Sequence, residues 1–288
     1  MKEKNYSKEI MLYDIIDFWY NNYVKAKKPS TIESYRINIS RTKKYCTNIP
    51  YYLFKDADAE KLLQHLANDG YSKSTIKKSL TVLKQSYLVA YRNNIIPKCT
   101  YFKVPIPTNA KVHKVPALTI EEQKQVEKCC ENMDYGYITL FLLETGIRIN
   151  ELCNLKWEDY NTKPLPNIVI RKSKTENGIR IVPLTAKANN IIINKPKISK
   201  YIFISKSGKK FTKSMLKEHN KEIREQTGIK EFHNHICRHT FATRAIERNM
   251  NIKALSVILG HSSVAFTLQR YADAKHDWLF EQMKIMNN

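Results

Sequence analysis

Pro97, Pro105, Pro107 and Pro116 fall within twenty residues of one another in a chain of 288. Proline fixes φ and donates no backbone hydrogen bond, so neither a helix nor a central strand can run through this stretch. Few apolar positions at helical spacing lie among the prolines. Residues 106–117 therefore read as a linker between a unit at 1–105 and a second at 118–288. Both have the length of an ordinary domain, and 42% hydrophobic residues suffice for two cores.

Before the prolines the pattern is helical throughout. Leu12, Ile16, Trp19 and Tyr23 mark one face of a helix over 9–27. Pro29 and Ser30 break it, and Ser30 with Glu33 forms a capping-box pattern for a second helix. That helix turns Ile32, Tyr35 and Ile39 inward and Arg36, Arg41, Lys43 and Lys44 outward. Asp56 or Asp58 caps a third helix bearing Leu62, Leu63 and Leu66, which Gly70 ends. A fourth, from about Ser74 to Arg92, puts Ile76, Leu80, Leu83, Tyr87 and Tyr91 inward and Lys73, Lys77, Lys78 and Lys84 outward. A charge on the far face of an amphipathic helix is usually only solvated, but Arg36, Arg41, Lys43, Lys73, Lys77 and Lys78 as a group are candidates for phosphate contact.

The second unit mixes periods. Thr119 and Glu122 repeat the capping box, 135–145 is nearly all apolar and fits a buried helix, and Gly146 ends it beside Arg148. From Asn167 the period falls to two. NIVIRKSKTENGIRIVPL carries an Asn-Gly turn (Asn177, Gly178) between β-branched runs, a hairpin signal, with Lys172, Lys174 and Arg180 in reach of a polyanion. Residues 201–204 are expected to add a short strand, and helix resumes over 215–226. The fold class is thus mainly α with a small antiparallel β-sheet (α+β).

The stretch from His233 to Tyr271 concentrates the reactive side chains. His235 and Arg238 share a helical face, and Ile252, Leu255, Ile258 and Leu259 form a second short helix closed by Gly260. His261 then falls in a tight turn, and Ser262 or Ser263 can cap a third helix ending near Tyr271. His233, His235, Cys237 and His239 alternate as metal ligands would on a strand, but the helical pattern scatters them, so no metal is expected.

Charge narrows the partner. The formal charge is +22 and spreads over both units, which favours a nucleic acid gripped from two sides over a basic tail. The six cysteines show no CxxC pair, which argues against a disulfide framework or zinc ribbon. No apolar run has the length of a membrane span, so a cytoplasmic protein is expected. GxxxxGK[ST] and GxGxxG are both missing, and neither ATP nor another cofactor is expected.

ETGIRINELCNLKW, the SKTENGIRIVPL hairpin, HICRHTFAT, LGHSSV and Tyr271 occur in an order that resembles the tyrosine recombinases, or lambda-type integrases. The likeness runs from residue 9 to about 280 and includes a helical core-binding domain ahead of the catalytic one. It implies a site-specific recombinase working through a covalent 3′-phosphotyrosyl intermediate, closing as a C-shaped clamp on duplex DNA. On the resemblance Arg148, Lys174, His235, Arg238 and His261 are active-site residues, Tyr271 is the nucleophile and Glu151 supports the site. Lys174 is preferred to Lys172 because it stands nine residues before Pro183.

The chemistry suits these types: two guanidiniums clamp the nonbridging phosphate oxygens, and a tyrosine of ordinary pKa near ~10 needs a base or a cationic site to attack. The tail over 276–286, with Trp278, Leu279, Phe280 and Met283, is implied to dock on a neighbouring subunit in a DNA-bound tetramer. Target DNA with specific recombination sites, with or without an accessory or partner recombinase, and no membrane complete the expected partners. The short N-terminus leaves no room for an added arm-binding domain, so simple target sites are expected. Two other readings stay open: a noncatalytic regulator with a helix-turn-helix over 251–271, and a topoisomerase-like nicking and relaxing enzyme.

Overall fold

The computed structural model describes residues 10–112, 116–171 and 179–261. The chain divides into two compact units, Met1–Lys114 and Val115–Asn288.

In the first unit α1 (Leu12–Trp19) runs into a π-helical turn, Tyr20–Val24, and is followed by α2 (Pro29–Tyr45), α3 (Asp56–Asn68) and α4 (Lys73–Arg92). α4 packs against the other three. Its Ile76, Leu83 and Tyr87 meet Leu12, Ile15 and Ile16 of α1 and Leu62, Leu63 and Leu66 of α3 in one core. The expected Ser30–Glu33 box does not form. Pro29, with its helical φ already set, takes the first position of α2, and Glu33 instead accepts from Arg36 at 2.9 and 2.8 Å. Tyr23 and Tyr91, read as inward, are 39% and 43% exposed, although their neighbours Val24 and Ala90 are in the core, and Asn93 donates to the Tyr23 hydroxyl at 2.7 Å.

The proline-bearing stretch belongs largely to this unit. Phe102 stands edge-on to Phe54 and Tyr87 at 5.7 and 4.9 Å, and Val104 and Ala110 are buried beside it. Lys73 N–H donates to the Lys111 carbonyl at 2.8 Å, which fastens the end of the stretch to the start of α4. Proline forbids a helix there, but it leaves apolar side chains free to pack.

In the second unit α5 (Ile120–Glu131) starts on the Thr119–Glu122 capping box, with reciprocal bonds of 3.1 and 2.8 Å. α6 (Gly136–Thr145) is the apolar centre and packs on α5, α8 (Ala186–Ile193) and α10 (Asn234–Glu247). A single helical turn, α7 (Ile149–Leu152), leads to a three-stranded antiparallel sheet of β1 (Tyr160–Asn161), β2 (Asn167–Ile170) and β3 (Arg180–Pro183), in that order. The register runs from Asn167↔Pro183 to Ile170↔Arg180. The strand expected at 201–204 is absent: Tyr201 and Ile204 make only isolated bridges, to Lys156 and Lys210, and β1 takes the third place. α9 (Lys213–Thr227), α10 and α11 (Ile252–Leu259) complete the described elements. The molecule is mainly helical with one small antiparallel sheet, and no helix among the described residues is long and apolar enough to cross a membrane.

Candidate active site

α11 ends in a Schellman turn. Gly260, at φ 63°, donates its N–H to the Val257 carbonyl at 2.9 Å, and His261 N–H reaches the Ser256 carbonyl at 3.1 Å. The next three carbonyls each accept from an arginine. Arg180 Nε donates to Ile258 at 2.6 Å, Arg238 Nη2 to Leu259 at 2.6 Å and Arg148 Nη2 to Gly260 at 3.1 Å. Arginines drawn from α7's N-cap, β3 and α10 thus converge on one helix C-terminus, where the partial negative charge of the backbone favours cations.

Glu151 organises two of the three. Its carboxylate accepts the Arg148 backbone N–H at 2.8 Å and Arg148 Nη1 at 2.9 Å, because Arg148 is the N-cap of α7 and Glu151 its third residue. From the other side Arg180 donates to both Glu151 oxygens, at 3.2 and 2.9 Å, in a two-pronged pair. Burial by itself pushes this carboxyl upward, but the Arg180 hydrogen bond and charge, with the Arg148 backbone and side chain, outweigh it and hold Glu151 below the usual carboxylate range.

Arg238 fixes the third corner. It is 3% exposed and also donates Nη1 to the Gly146 carbonyl at 2.9 Å, so it joins the end of α6 to the end of α11. Gly146 has φ 62°, and a Cβ there would lie 2.3 Å from the Phe241 ring, so the approach of α6 to α10 requires glycine. α10 is held from outside as well. Leu118 N–H donates to Thr240 Oγ1 at 3.0 Å, and Arg244 reaches the Leu118 carbonyl at 2.7 Å and Gln123 at 2.9 Å.

The structure brings Arg148, Glu151, Arg238 and the backbone of His261 to this one point. His235 sits one turn before Arg238 with an exposed ring, edge-on to the buried His239 at 4.8 Å. Because α10 begins at Asn234, Cys237 faces the core while His235 faces out, so the alternating ligand face needed for zinc does not occur. Lys172, Lys174, the Asn177–Gly178 turn, Tyr271 and the tail over 276–286 lie outside the described residues.

Arg180 departs from its reading as a polyanion contact: its side chain is 3% exposed and wholly engaged inside the unit. A signal existed in the alternation, since Arg180 is in phase with buried Val182 while Ile179 and Ile181 are 62% and 59% exposed. In the first unit Lys73, Lys77 and Lys78 are exposed along α4, and Arg36 is exposed but paired with Glu33. Arg41 and Lys43 are not the solvent-facing cations expected. Arg41 donates to Asn38 at 2.7 Å and lies 5.0 Å over the Tyr71 ring, and Lys43 pairs with Asp17 at 2.6 Å over the Tyr13 ring. Their long stems cover apolar surface between helices, which periodicity alone does not reveal.

Among known proteins, residues 117–277 match the phage integrase family. The chain is 30% identical to tyrosine recombinase XerA of Pyrococcus furiosus, over 76% of its own length and 77% of the relative's. It is 25% identical to a tyrosine recombinase XerC-like protein of Caldanaerobacter subterraneus, over 91% of this chain and 79% of that one. The fold is similar to that of the Tn1549 transposon integrase in complex with circular intermediate DNA, with a TM-score of 0.78 at 20% identity over 96% of this chain and 100% of the other.

Proposed function

Because the chain belongs to the phage integrase family, whose pattern covers more than half of it, it is a tyrosine-type site-specific DNA recombinase, and we propose that Tyr271 is its nucleophile and Arg148 and Arg238 its phosphate clamp. The observation that carries the assignment of the clamp is the convergence of Arg148, Arg180 and Arg238 on three successive carbonyls immediately before His261. Guanidiniums fixed in this way are aimed before substrate arrives, so little reorganisation is needed as charge builds on the nonbridging oxygens.

In the proposed reaction the Tyr271 oxygen attacks phosphorus, a 3′-phosphotyrosyl bond forms and the bond to the 5′ oxygen breaks. His235 accepts the tyrosine proton, Lys174 gives a proton to the leaving 5′ oxygen, and His261 donates a hydrogen bond to the phosphate. The bond energy stays in the covalent link, so a 5′ hydroxyl of another strand rejoins the DNA by the reverse displacement without ATP. The partners of this reading are duplex DNA carrying specific recombination sites and further copies of this chain, assembled as a tetramer on the DNA through the C-terminal segment. The exposed Lys73, Lys77 and Lys78 of α4 contact DNA phosphates from the first unit.

The test is capture of SDS-resistant protein–DNA adducts from sheared DNA of the source organism, with sequencing of what is trapped. Wild type is expected to give adducts at one inverted-repeat sequence and Tyr271→Phe none. Tight reversible binding with no adduct from either protein, on a nicked substrate too, would replace this reading with that of a noncatalytic regulator.

A further inference from the structure

We infer that Arg180 is a positioning residue for the recombination chemistry: through Glu151 it aims Arg148, and through the Ile258 carbonyl it sets the Gly260–His261 turn. The inference rests on the recombinase reading above and assigns a role to a side chain that cannot itself meet DNA, being 3% exposed.

The geometry is that of a bracket with two arms. One arm is the two-pronged pair to Glu151, the same carboxylate that holds both the backbone N–H and the Nη1 of Arg148. Glu151 is 5% exposed, whereas the Arg148 side chain is 38% exposed and so is the member of the chain of contacts that can reach a phosphate. Removing Arg180 leaves Arg148 as the cation holding this carboxylate in the bracket, and the pair rotates together. The other arm is the 2.6 Å bond from Nε to the Ile258 carbonyl, one residue before the Leu259 carbonyl that holds Arg238. The turn is also seated directly on the guanidinium, since a Cβ on Gly260 would lie 2.9 Å from Arg180 Nη1 and 3.1 Å from its Cζ.

A planar fork is required for this task. Lysine is a compact point charge that can satisfy Glu151 or the Ile258 carbonyl, whereas Arg180 spans both. Arg180 also opens β3, paired with Ile170 at the end of β2, so the bracket ties the edge of the sheet to the site. A shift of the hairpin strand would thus be passed to Arg148 and His261 by contacts already in place.

The experiment uses the full chain and a nicked DNA carrying the sequence recovered by adduct capture, made in two forms: an ordinary phosphodiester at the scissile position and an uncharged methylphosphonate. A methylphosphonate develops less negative charge for Arg148 to balance, so it reports on aim and not on folding. Arg180→Gln and, independently, Gly260→Ala are expected to slow adduct formation on the phosphodiester about 100-fold, the scale of a misplacement near 1 Å. The loss on the methylphosphonate is expected to be under about 10-fold on that same scale. Arg180→Lys, which keeps a cation beside Glu151, is expected to show the same imbalance at smaller size and decides the matter if Arg180→Gln fails to fold. Equal losses on both substrates, or a wild-type rate on the phosphodiester, would overturn the inference while leaving the recombinase reading intact. Absence of any adduct from the wild-type protein would overturn that reading and this role with it.

Discussion

The first unit buries no charged side chain among its described residues, whereas the second buries Glu151, Asp159, Arg180 and Arg238. The polar groups buried in the first unit are uncharged: Thr42 and Ser86 each donate to the carbonyl four residues back, at 2.8 Å, Asn38 donates to the Ser34 carbonyl, and the Ser79 hydroxyl is left without a partner among the described residues. Its α4 lysines stay in water. Taking a charge out of water costs several kcal/mol unless it is paired, so a helical unit that only has to hold a polyanion gains nothing by burying one. A site that must aim a guanidinium at a single phosphorus does gain, because a buried, doubly bonded arginine has one orientation. The two units carry similar excesses of positive charge; on the proposed function they put them to different uses, grip in one and orientation in the other.

The contrast is broken most directly at Glu151. Glu151→Ala strands Arg180 in the interior and is expected to lower unfolding free energy by about 3–5 kcal/mol, read from urea titration of the full chain. A loss below about 1 kcal/mol would mean that the buried charges carry no more than surface pairs do. The salt dependence of DNA binding, which reports exposed cations, is expected to stay as in wild type.

Acid sharpens the comparison next. His219 is buried on α9 with its Nε2 3.0 Å from the Thr139 hydroxyl, and burial holds its pKa below the ordinary histidine value. A group depressed in the folded state favours folding above its unfolded pKa, and that contribution is lost as pH falls through the folded value. Stability is therefore expected to fall as pH drops below about 6.5, where His219 of the unfolded chain takes up a proton, and again below about 4.3, where the unfolded chain protonates Glu151 while the folded carboxyl, held lower, still resists. His219→Gln is expected to remove the first decline and keep the second. A urea midpoint that declines identically in this variant would assign the first step elsewhere.

The smallest expected effect lies in the first unit. Lys77→Gln is expected to leave stability within about 0.5 kcal/mol, as for an exposed side chain, and to reduce the slope of log binding constant against log salt by about 0.9, the signature of one lost phosphate contact. Unchanged salt dependence would return Lys77 to the set of merely solvated charges and leave the DNA grip to be sought elsewhere.

Much of this was legible in order along the chain. Apolar spacing located the four helices of the first unit and most of those of the second, though not α8, Gly146 and Gly260 marked the helix ends they close, and the Thr119–Glu122 box formed as written. Arg148, Glu151, Arg238 and His261 were singled out by motif and are found around one helix end. Less legible were features in which a residue's partner is far away in sequence. Phe102, Val104 and Ala110 pack on the first unit although the prolines around them mark a break, because proline removes a backbone donor without removing an apolar surface. Arg41 and Lys43 bend back onto Tyr71 and Tyr13 although helical spacing sends them outward.

The sequence by itself determined where regular structure begins and ends and which residue types are gathered near the site, since period, caps and glycines act over a few residues. Tertiary structure alone decided what each charge is for. Arg180 reads as one more cation on a basic hairpin until the fold puts the Ile258 carbonyl, 78 residues away, against its Nε and Glu151 against its fork. A guanidinium has the same charge in either setting; whether it binds, aims or merely solvates depends on how much water is left around it and which acceptors face it.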